Sequence, residues 1–230
     1  MKNQVLAVFA LVAGCAGSSQ ADILWNQSAI DVGPNGVGVP NSVSPGFNGW
    51  TAFAVEDVSV GAGGWTINSV STYFSALSWN PGSVTSAVLN VFSKSGNSPI
   101  AANNPRANPT GQGSLVTVTM NGMDVAGNGV WEIRADGLNI NLSAGEYWIG
   151  LTPVGPTGPF GPDRQWSSTS HYGQSQHVRF YPDSGWQNGG SFYGVPSFDG
   201  AILIEGVNVP APASLGLIGL GGLLATRRRR

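Results

Sequence analysis

The residues that could carry chemistry in this 230-residue chain are twelve acids, two histidines and one cysteine. Glycoside hydrolysis needs two acids about 5–10 Å apart in a cleft, whereas the adjacent Glu56 and Asp57 point to opposite faces if they lie on a strand. His171 and His177 are six residues apart, a spacing that fits neither a helical pair nor a compact zinc site. The sequence also lacks a G-x-S-x-G elbow and a phosphate loop. These patterns predict a protein that is not an enzyme.

A structural calcium ion is the metal hypothesis that the sequence leaves open. Ca²⁺ prefers oxygen ligands, and Asp22, Asp183 and Asp199 could supply them together with backbone carbonyls. No calcium loop of the D-x-[DN]-x-[DN]-G type accompanies these residues. We therefore expect no cofactor, with a structural Ca²⁺ as the alternative.

The eight tryptophans of the chain, all in the region 22–207, have two interpretations. As core residues they bury large apolar areas, and as an exposed platform they would stack on the C–H faces of sugar rings. Trp65, Trp131 and Trp148 sit in strand patterns and are predicted to be core. The candidate glycan-binding residues lie in polar, loop-like surroundings: Trp166, Tyr172, Tyr181, Trp186 and Tyr193.

Short alternating apolar runs, separated by Gly and Pro, predict the strands that must position these side chains. The runs 138–142 and 146–151 are joined by three residues ending in Gly145, which predicts a β-hairpin. The run 115–120 predicts one strand with one solvent-exposed face, and residues 153–172 are predicted to form a long loop. With about eight or nine such strands and no helical stripe, residues 22–207 are predicted to be all-β, a jelly-roll-like two-sheet sandwich.

The charge distribution separates this body from the two ends of the chain. Lys2 and four C-terminal arginines make up half of the ten cations, whereas all twelve acids lie between Asp22 and Pro210. That stretch has five cations against twelve acids and a net charge of −7. It lacks the excess of Lys and Arg that is typical of nucleic-acid-binding proteins, and its few charges argue against a helical bundle.

The first 21 residues have the three parts of a secretory signal peptide. Lys2 precedes an apolar run over 5–13, and Ser-Gln-Ala at 19–21 is a small-residue cleavage site. Residues 1–21 are therefore predicted to form a signal helix that signal peptidase removes before Asp22. The Val-Ala-Gly-Cys sequence at 12–15 resembles a lipoprotein box, so lipidation at Cys15 is the alternative.

The last 23 residues, 208–230, predict a short membrane tail. A Pro/Ala motif at 209–214 precedes a Gly/Leu-rich apolar segment at 213–226. That segment would make about 21 Å of helix, which is short for a hydrocarbon core of about 30 Å. Terminal arginines keep such a segment end on the cytoplasmic side. The basic stop consists of Arg227, Arg228, Arg229 and Arg230.

This tail resembles the PEP-CTERM sorting signal, in which a Val-Pro-Glu-Pro-like motif, a Gly/Leu-rich stretch and an Arg cluster follow in the same order. The resemblance covers only about residues 208–230, and Ala211 stands where the family usually has Glu. The sorting motif would be Val209, Pro210, Ala211 and Pro212. The body also resembles, over 63–67, 88–92 with 97–99, and 145–148, ectodomains joined to this tail, which supports a β-sandwich only.

The resemblance implies recognition and cleavage by an exosortase, an intramembrane Cys-dependent transpeptidase-like enzyme, after transient insertion in the inner membrane. It implies delivery to the cell surface or to an exopolysaccharide matrix of a bacterium with an outer membrane. The leading hypothesis is an exported, non-catalytic surface or matrix protein associated with exopolysaccharide. The alternative is a carbohydrate-binding module that uses the loop aromatics, and a glycoside hydrolase is the third hypothesis.

Overall fold

The described part of the chain is all-β, with two antiparallel sheets and one short helix, as the sequence predicts. The computed structural model describes residues 21–32, 38–43, 51–75, 83–100, 113–155, 164–180, 185–194 and 198–210. The predicted signal helix, apart from Ala21, and the predicted C-terminal membrane helix lie outside these ranges. Within them, no helix has the length and apolarity needed to cross a membrane.

The strands of the described ranges are from two to fifteen residues long. They are β1 (Asp22–Asn26), β2 (Val39–Pro40), β3 (Ala52–Val60), β4 (Trp65–Ser75), β5 (Ser86–Ser93), β6 (Gly113–Thr117), β7 (Thr119–Val125), β8 (Asn128–Leu142), β9 (Gly145–Pro153), β10 (Arg164–Gln165), β11 (His177–Phe180), β12 (Trp186–Asn188) and β13 (Ile202–Asn208). The helix α1 (Gly189–Tyr193) begins after Asn188, whose side chain accepts a hydrogen bond from the Ser191 amide, and ends before Gly194 in the left-handed conformation.

The strands form two sheets, which we call sheet 1 and sheet 2. Sheet 1 has the order β1-β13-β4-β8-β7, and β10 joins it where Gln165 pairs with Phe74, with β2 beyond β10. Sheet 2 has the order β12-β11-β3-β9-β5-β6. The consecutive strands β3, β4 and β5 alternate between the two sheets, as β8 and β9 also do.

Alternation along the strands places one face of each sheet in a shared apolar core. Val70 and Phe74 of β4 belong to the same buried cluster as Ile149 and Leu151 of β9. These strands belong to different sheets, so the cluster joins the sheets face to face. The two-sheet sandwich is confirmed, and Trp65 lies in this core, with Trp131 half-buried against it. Trp148 is buried as predicted, but in a separate cluster with Val55 and Phe92 on the other face of sheet 2.

The predicted hairpin at 138–151 is wrong, although both of its strands are present. β8 pairs with β4 and β7, whereas β9 pairs with β3 and β5. The connection therefore crosses from sheet 1 to sheet 2 around Gly145, which has φ of 155°. Ile140 and Tyr147 pack against the same core cluster from opposite sheets. The hairpin prediction failed because an alternating pattern specifies which face of a strand is buried and not which strand is its neighbour.

Two other predicted segments divide differently in the structure. The run 115–120 is split at Val118, whose amide donates to the carbonyl of Thr85, the residue before β5. The two halves, β6 and β7, belong to different sheets. The segment 153–172 contains β10 in its described part, with Arg164 opposite Pro40. Its residues 156–163 lie outside the described ranges.

Candidate functional site

Glu56 and Asp57 on β3 face opposite sides of sheet 2, as their adjacency predicts. Glu56 shares the core-facing side with Val58, and Asp57 shares the outer side with Val55. Both side chains are about 1% exposed. The structure therefore does not bring these two acids together in an open cleft, which is the geometry that glycoside hydrolysis requires.

Glu56 is an acid enclosed in the interior of the sandwich. Its Oε1 accepts a hydrogen bond of 2.9 Å from the amide of Gly200. Its Oε2 has no hydrogen-bond partner in the described part of the chain. Burial, and then the charge of Asp199, raise the pKa of Glu56 well above its ordinary value. Burial therefore favours the protonated form of this carboxyl group.

Asp57 pairs with Lys94 on the outer side of sheet 2. Its Oδ2 accepts from Lys94 Nζ and, at 2.9 Å, from the amide of Gln174. Lys94 also lies 5.0 Å from the centre of the Trp148 ring, a cation–π contact. The loop 171–176 approaches Asp57 closely at Gly173. Gly173 has φ of +56°, and a Cβ there would lie 2.3 Å from Asp57 Oδ2. A glycine is therefore required at position 173.

Asp199 holds the other end of the same loop. Its Oδ2 accepts from the amide of Tyr172 at 2.8 Å and from Gln27 Nε2 at 3.4 Å, and it lies 3.5 Å from His171 Nδ1. Burial raises the pKa of Asp199 to about 6, although the Tyr172 amide and His171 act in the opposite direction. We call Glu56, Asp57 and Asp199 the carboxylate clasp.

The clasp fastens two chain segments to the sandwich. Asp57 and Asp199 bind amides within the segment 171–176, and Glu56 binds the amide of Gly200. Each acid is buried and directs an oxygen at a backbone N–H. Acids in this arrangement stabilise loops, and the clasp fits that role better than proton transfer to a substrate.

The structure does not assemble the calcium ligands proposed from the sequence. Asp22 pairs with Gly206 at one end of β13, whereas Asp199 precedes the other end of that strand. The strand steps from Gly206 to Ile202 alone span roughly 13 Å, and Asp199 lies three residues beyond Ile202. Asp183 lies outside the described residues. Among the residues that are described, no group of three or more His, Cys, Asp or Glu side chains could hold a metal ion.

The two histidines have different environments and do not form a pair. His177 is buried, its Nδ1 lies 2.8 Å from the carbonyl of Ser175, and its ring meets that of Trp148 at 4.8 Å. Burial lowers the pKa of His177. His171 is exposed beside Asp199.

The candidate glycan-binding aromatics do not form one platform. Trp166 packs against Tyr73 and Val130 on the outer face of sheet 1. Trp186 packs against Trp148 and Val55 on the outer face of sheet 2. Trp166 and Trp186 therefore lie on opposite faces of the sandwich.

The remaining three candidates have separate positions. Tyr181 lies outside the described residues, and Tyr193 is the last residue of α1, with a side chain that is not among the described parts. Tyr172 is 37% exposed at the clasp.

Tyr172 forms an aromatic cluster with two tryptophans that the glycan-site prediction did not include. Its ring meets that of Trp25 edge-on at 4.6 Å, and Trp25 in turn lies 6.5 Å from the buried Trp65. Trp25 Nε1 donates to Gln27 Oε1 at 2.8 Å, and Gln27 donates to Asp199. Asp199 thus holds both the loop carrying Tyr172 and the strand end carrying Trp25. We call Trp25, Trp65 and Tyr172 the aromatic ridge.

Trp25 and Gln27 were missed as site residues, although the sequence contains a weak signal for them. They are two residues apart on or beside an early strand, so their side chains are expected on the same side. Nothing in the sequence relates them to Tyr172 or Asp199, which lie more than a hundred residues away.

No family model, no curated protein and no solved structure matches this chain. Its function is therefore inferred from its own residues and contacts.

Proposed function

We propose that this chain is an exported, non-catalytic cell-surface or extracellular-matrix protein that is sorted by its C-terminal tail. The observation that carries the proposal is the order of parts along the sequence. A signal-like segment at 1–21 precedes an acidic body, and the body precedes a tail at 208–230 that resembles the PEP-CTERM signal. Signal peptidase and an exosortase would process the two ends. The tail would anchor the chain transiently in the inner membrane of a bacterium with an outer membrane.

The contacts of the carboxylate clasp support the non-catalytic part of the proposal. Glu56, Asp57 and Asp199 are buried and bind backbone amides, so their contacts are explained by loop attachment. The net charge of −7 on the stretch from Asp22 to Pro210 also suits a protein that stays soluble outside a cell. A jelly-roll-like topology is the finer fold proposal, supported by the alternation of β3, β4 and β5 between the sheets.

Sorting is tested by expressing the full chain in an outer-membrane bacterium with and without an exosortase of the PEP-CTERM type. The wild-type chain is expected at the surface or in the matrix only when the exosortase is present. A variant with Pro210→Ala and Pro212→Ala should remain with the inner membrane, because the cleavage motif is lost. Thr226→Ala, at the far end of the apolar segment, is the control that should sort normally. Equal surface delivery of all chains without the enzyme would refute sorting by this tail.

A carbohydrate-binding module is the second candidate, and the aromatic ridge favours it. Tyr172 exposes its ring on a support of Trp25 and Trp65, and Asp199 fixes its backbone. An exposed aromatic ring held in this way can stack on a sugar. The acidic body would repel anionic polymers, so a neutral polysaccharide is the expected ligand.

Affinity electrophoresis in gels containing neutral polysaccharides tests this second candidate. The wild-type chain should be retarded. The apparent affinity calculated from the retardation should be at least tenfold lower for Tyr172→Ala and unchanged for Tyr172→Phe, which keeps the ring. Ile100→Ala removes a different exposed apolar side chain and is the matched control. Unretarded migration of the wild-type chain in every gel would eliminate the glycan-binding candidate and leave the sorting proposal intact.

A further inference from the structure

The segment from β6 to β7 forms one open edge that runs across both sheets. β6 is the last strand of sheet 2 and pairs with β5, and β7 is the last strand of sheet 1 and pairs with β8. Only Val118 separates the two strands. One side of the sandwich therefore presents two unpaired strand edges within the described residues, and they come from consecutive parts of the chain.

This edge lacks the features by which proteins usually block edge-to-edge pairing, such as charge, proline, bulges or very short strands. The segment 113–125 contains one charged residue, Asp124, and no proline or lysine. The registers of β6 on β5 and of β7 on β8 show no bulge. Two side chains on the segment are exposed apolar groups, Leu115 at 71% and Met123 at 42%.

The other outer strands of the described sheets differ in this respect. β2 and β12 have two and three residues. β1 begins with Asp22 and has an irregular register between Ile23 and Trp25. The side chain of Trp25 is also covered by Tyr172. The contrast makes the β6–β7 edge the part of the described surface that is best suited to pair with another strand.

The turn between β7 and β8 determines which backbone groups of β7 point outward. Ala126 and Gly127 have φ of 52° and 81°, as in a two-residue type I′ turn, and Val125 pairs with Asn128. The pair that closes such a turn is hydrogen-bonded, and hydrogen-bonded pairs then alternate along the ladder. Residues 119, 121, 123 and 125 therefore bond to β8. Met120, Gly122 and Asp124 direct their N–H and C=O groups away from it.

We propose that this edge binds a second copy of the same chain, through antiparallel pairing of β7 with β7 about a two-fold axis at Gly122. Such an interface needs only one strand, because a two-fold contact is self-complementary. In this register Asp124 lies opposite Met120 of the second copy. The two Asp124 side chains are then offset by four residues, roughly 13 Å, so like charges do not meet. The acidic surface elsewhere would repel a second copy, which favours contact at this nearly uncharged edge.

The same two-fold operation brings the β6 edges of the two copies together. Strands that pair in one sheet keep their faces on the same sides, so sheet 2 of one copy continues towards sheet 2 of the other. Leu115 of β6, the most exposed large apolar side chain among the described residues, then lies beside the interface. This pairing is independent of the proposed sorting, since it concerns only the folded body.

Sedimentation velocity of the full chain, expressed for export and purified, tests the proposal. The wild-type chain should sediment as a dimer in the micromolar range, and Met123→Glu should raise the dissociation constant at least tenfold by placing acids at the interface. Ile23→Glu makes the same charge change on β1 and should leave the dimer unchanged. Circular dichroism checks that each variant is folded. A monomeric wild-type chain, or equal dissociation in both variants, would overturn the proposal.

Disulfide trapping tests the register, using variants in which Cys15 is replaced by Ser. Asn121 of one copy would face Met123 of the other as a non-hydrogen-bonded pair, with Cα atoms about 4.5 Å apart, within disulfide range. An oxidised mixture of Asn121→Cys and Met123→Cys chains should therefore give covalent dimers. Each variant alone should not, because its own cysteines would lie about 8 Å apart on the diagonal. Equal trapping in the mixture and in the single variants, or none in any sample, would contradict this register.

Discussion

The acids of the carboxylate clasp differ in what compensates their burial. Asp57 has the ammonium group of Lys94 and an amide. Glu56 has no cation beside it: it has the Gly200 amide, the Gln176 side chain and one oxygen without a hydrogen-bond partner in the described residues. An ionised carboxylate is costly to bury without a partner, and a protonated one is much less so. Replacing Asp57 by a neutral residue and replacing Glu56 by a neutral residue should therefore change the stability of the fold in opposite directions.

The contributions of Glu56 and Asp199 to the stability of the fold should decrease as the pH rises from about 4, and that of Asp199 should end near pH 6. The folded-state pKa values of Glu56 and Asp199 are raised above their ordinary values. The folded state then binds protons that the unfolded state releases, so ionisation lowers the free energy of unfolding. Thermal unfolding midpoints between pH 4 and pH 8 check this. Glu56→Gln should flatten the profile, and curves that run parallel in wild type and variant would contradict the assignment.

Replacing Asp57 by a neutral residue should destabilise the fold. Asp57→Asn leaves the mostly buried Lys94 without its ion pair, and breaking such a buried pair costs about 3 kcal/mol or more. Urea unfolding at pH 7 measures the difference. Asp136→Asn is the control, because Asp136 is 58% exposed in its pair with Arg134 and exposed pairs contribute about 1 kcal/mol or less. A loss no larger in Asp57→Asn than in this control would refute the role of the pair.

For single residues, the sequence predicted the face of a strand on which a side chain lies but not the groups to which it hydrogen-bonds. Period-2 alternation predicts that Glu56 and Asp57 diverge, and the structure confirms it. The amides that they bind belong to Gly200 and Gln174, 144 and 117 residues away. Long-range contacts of this kind depend on the path of the whole chain, and no local pattern encodes them.

At the level of strands, periodicity predicted which residues are buried better than which strands are neighbours. The runs 138–142 and 146–151 both bury the predicted side chains. They belong to different sheets, because the three-residue connection ending in Gly145 serves as a sheet-to-sheet crossing. The tight hairpin β7–β8 turns at Ala126 and Gly127, and Ala at a position with positive φ gives a weak sequence signal.

Close packing of β9 on β3 should make Gly150 intolerant of any side chain. A Cβ on Gly150 would lie 2.0 Å from the carbonyl oxygen of Ala54, so the strands would have to separate. Gly150→Ala should lower the free energy of unfolding by about 3 kcal/mol, at the upper end of overpacking costs. Urea denaturation provides the measurement.

Gly129→Ala is the matched control for that substitution. Gly129 is also a strand glycine, but a Cβ at this position would have no atom within 4 Å among the described residues, so its change should stay within about 0.5 kcal/mol. Similar losses for the two alanine variants would show that the close approach at Gly150 is not what limits the strand.

At the scale of the whole molecule, composition predicted the fold class and the division of charge. Alternating runs with frequent Gly and Pro were sufficient for an all-β, two-sheet body, because each sheet needs one apolar face. They could not give the sheet order, since many orders bury the same faces. The open β6–β7 edge is a consequence of that order and was accessible only from the structure.

The central claim concerns the two ends of the chain, and mass spectrometry of the mature protein from its native host tests it most directly. We predict an N-terminus at Asp22 and a C-terminus near the 209–214 motif, with Arg227 to Arg230 removed. An exported protein that retains these four arginines would contradict sorting by the tail. A lipid-bearing N-terminus at Cys15 would contradict release to the surface matrix.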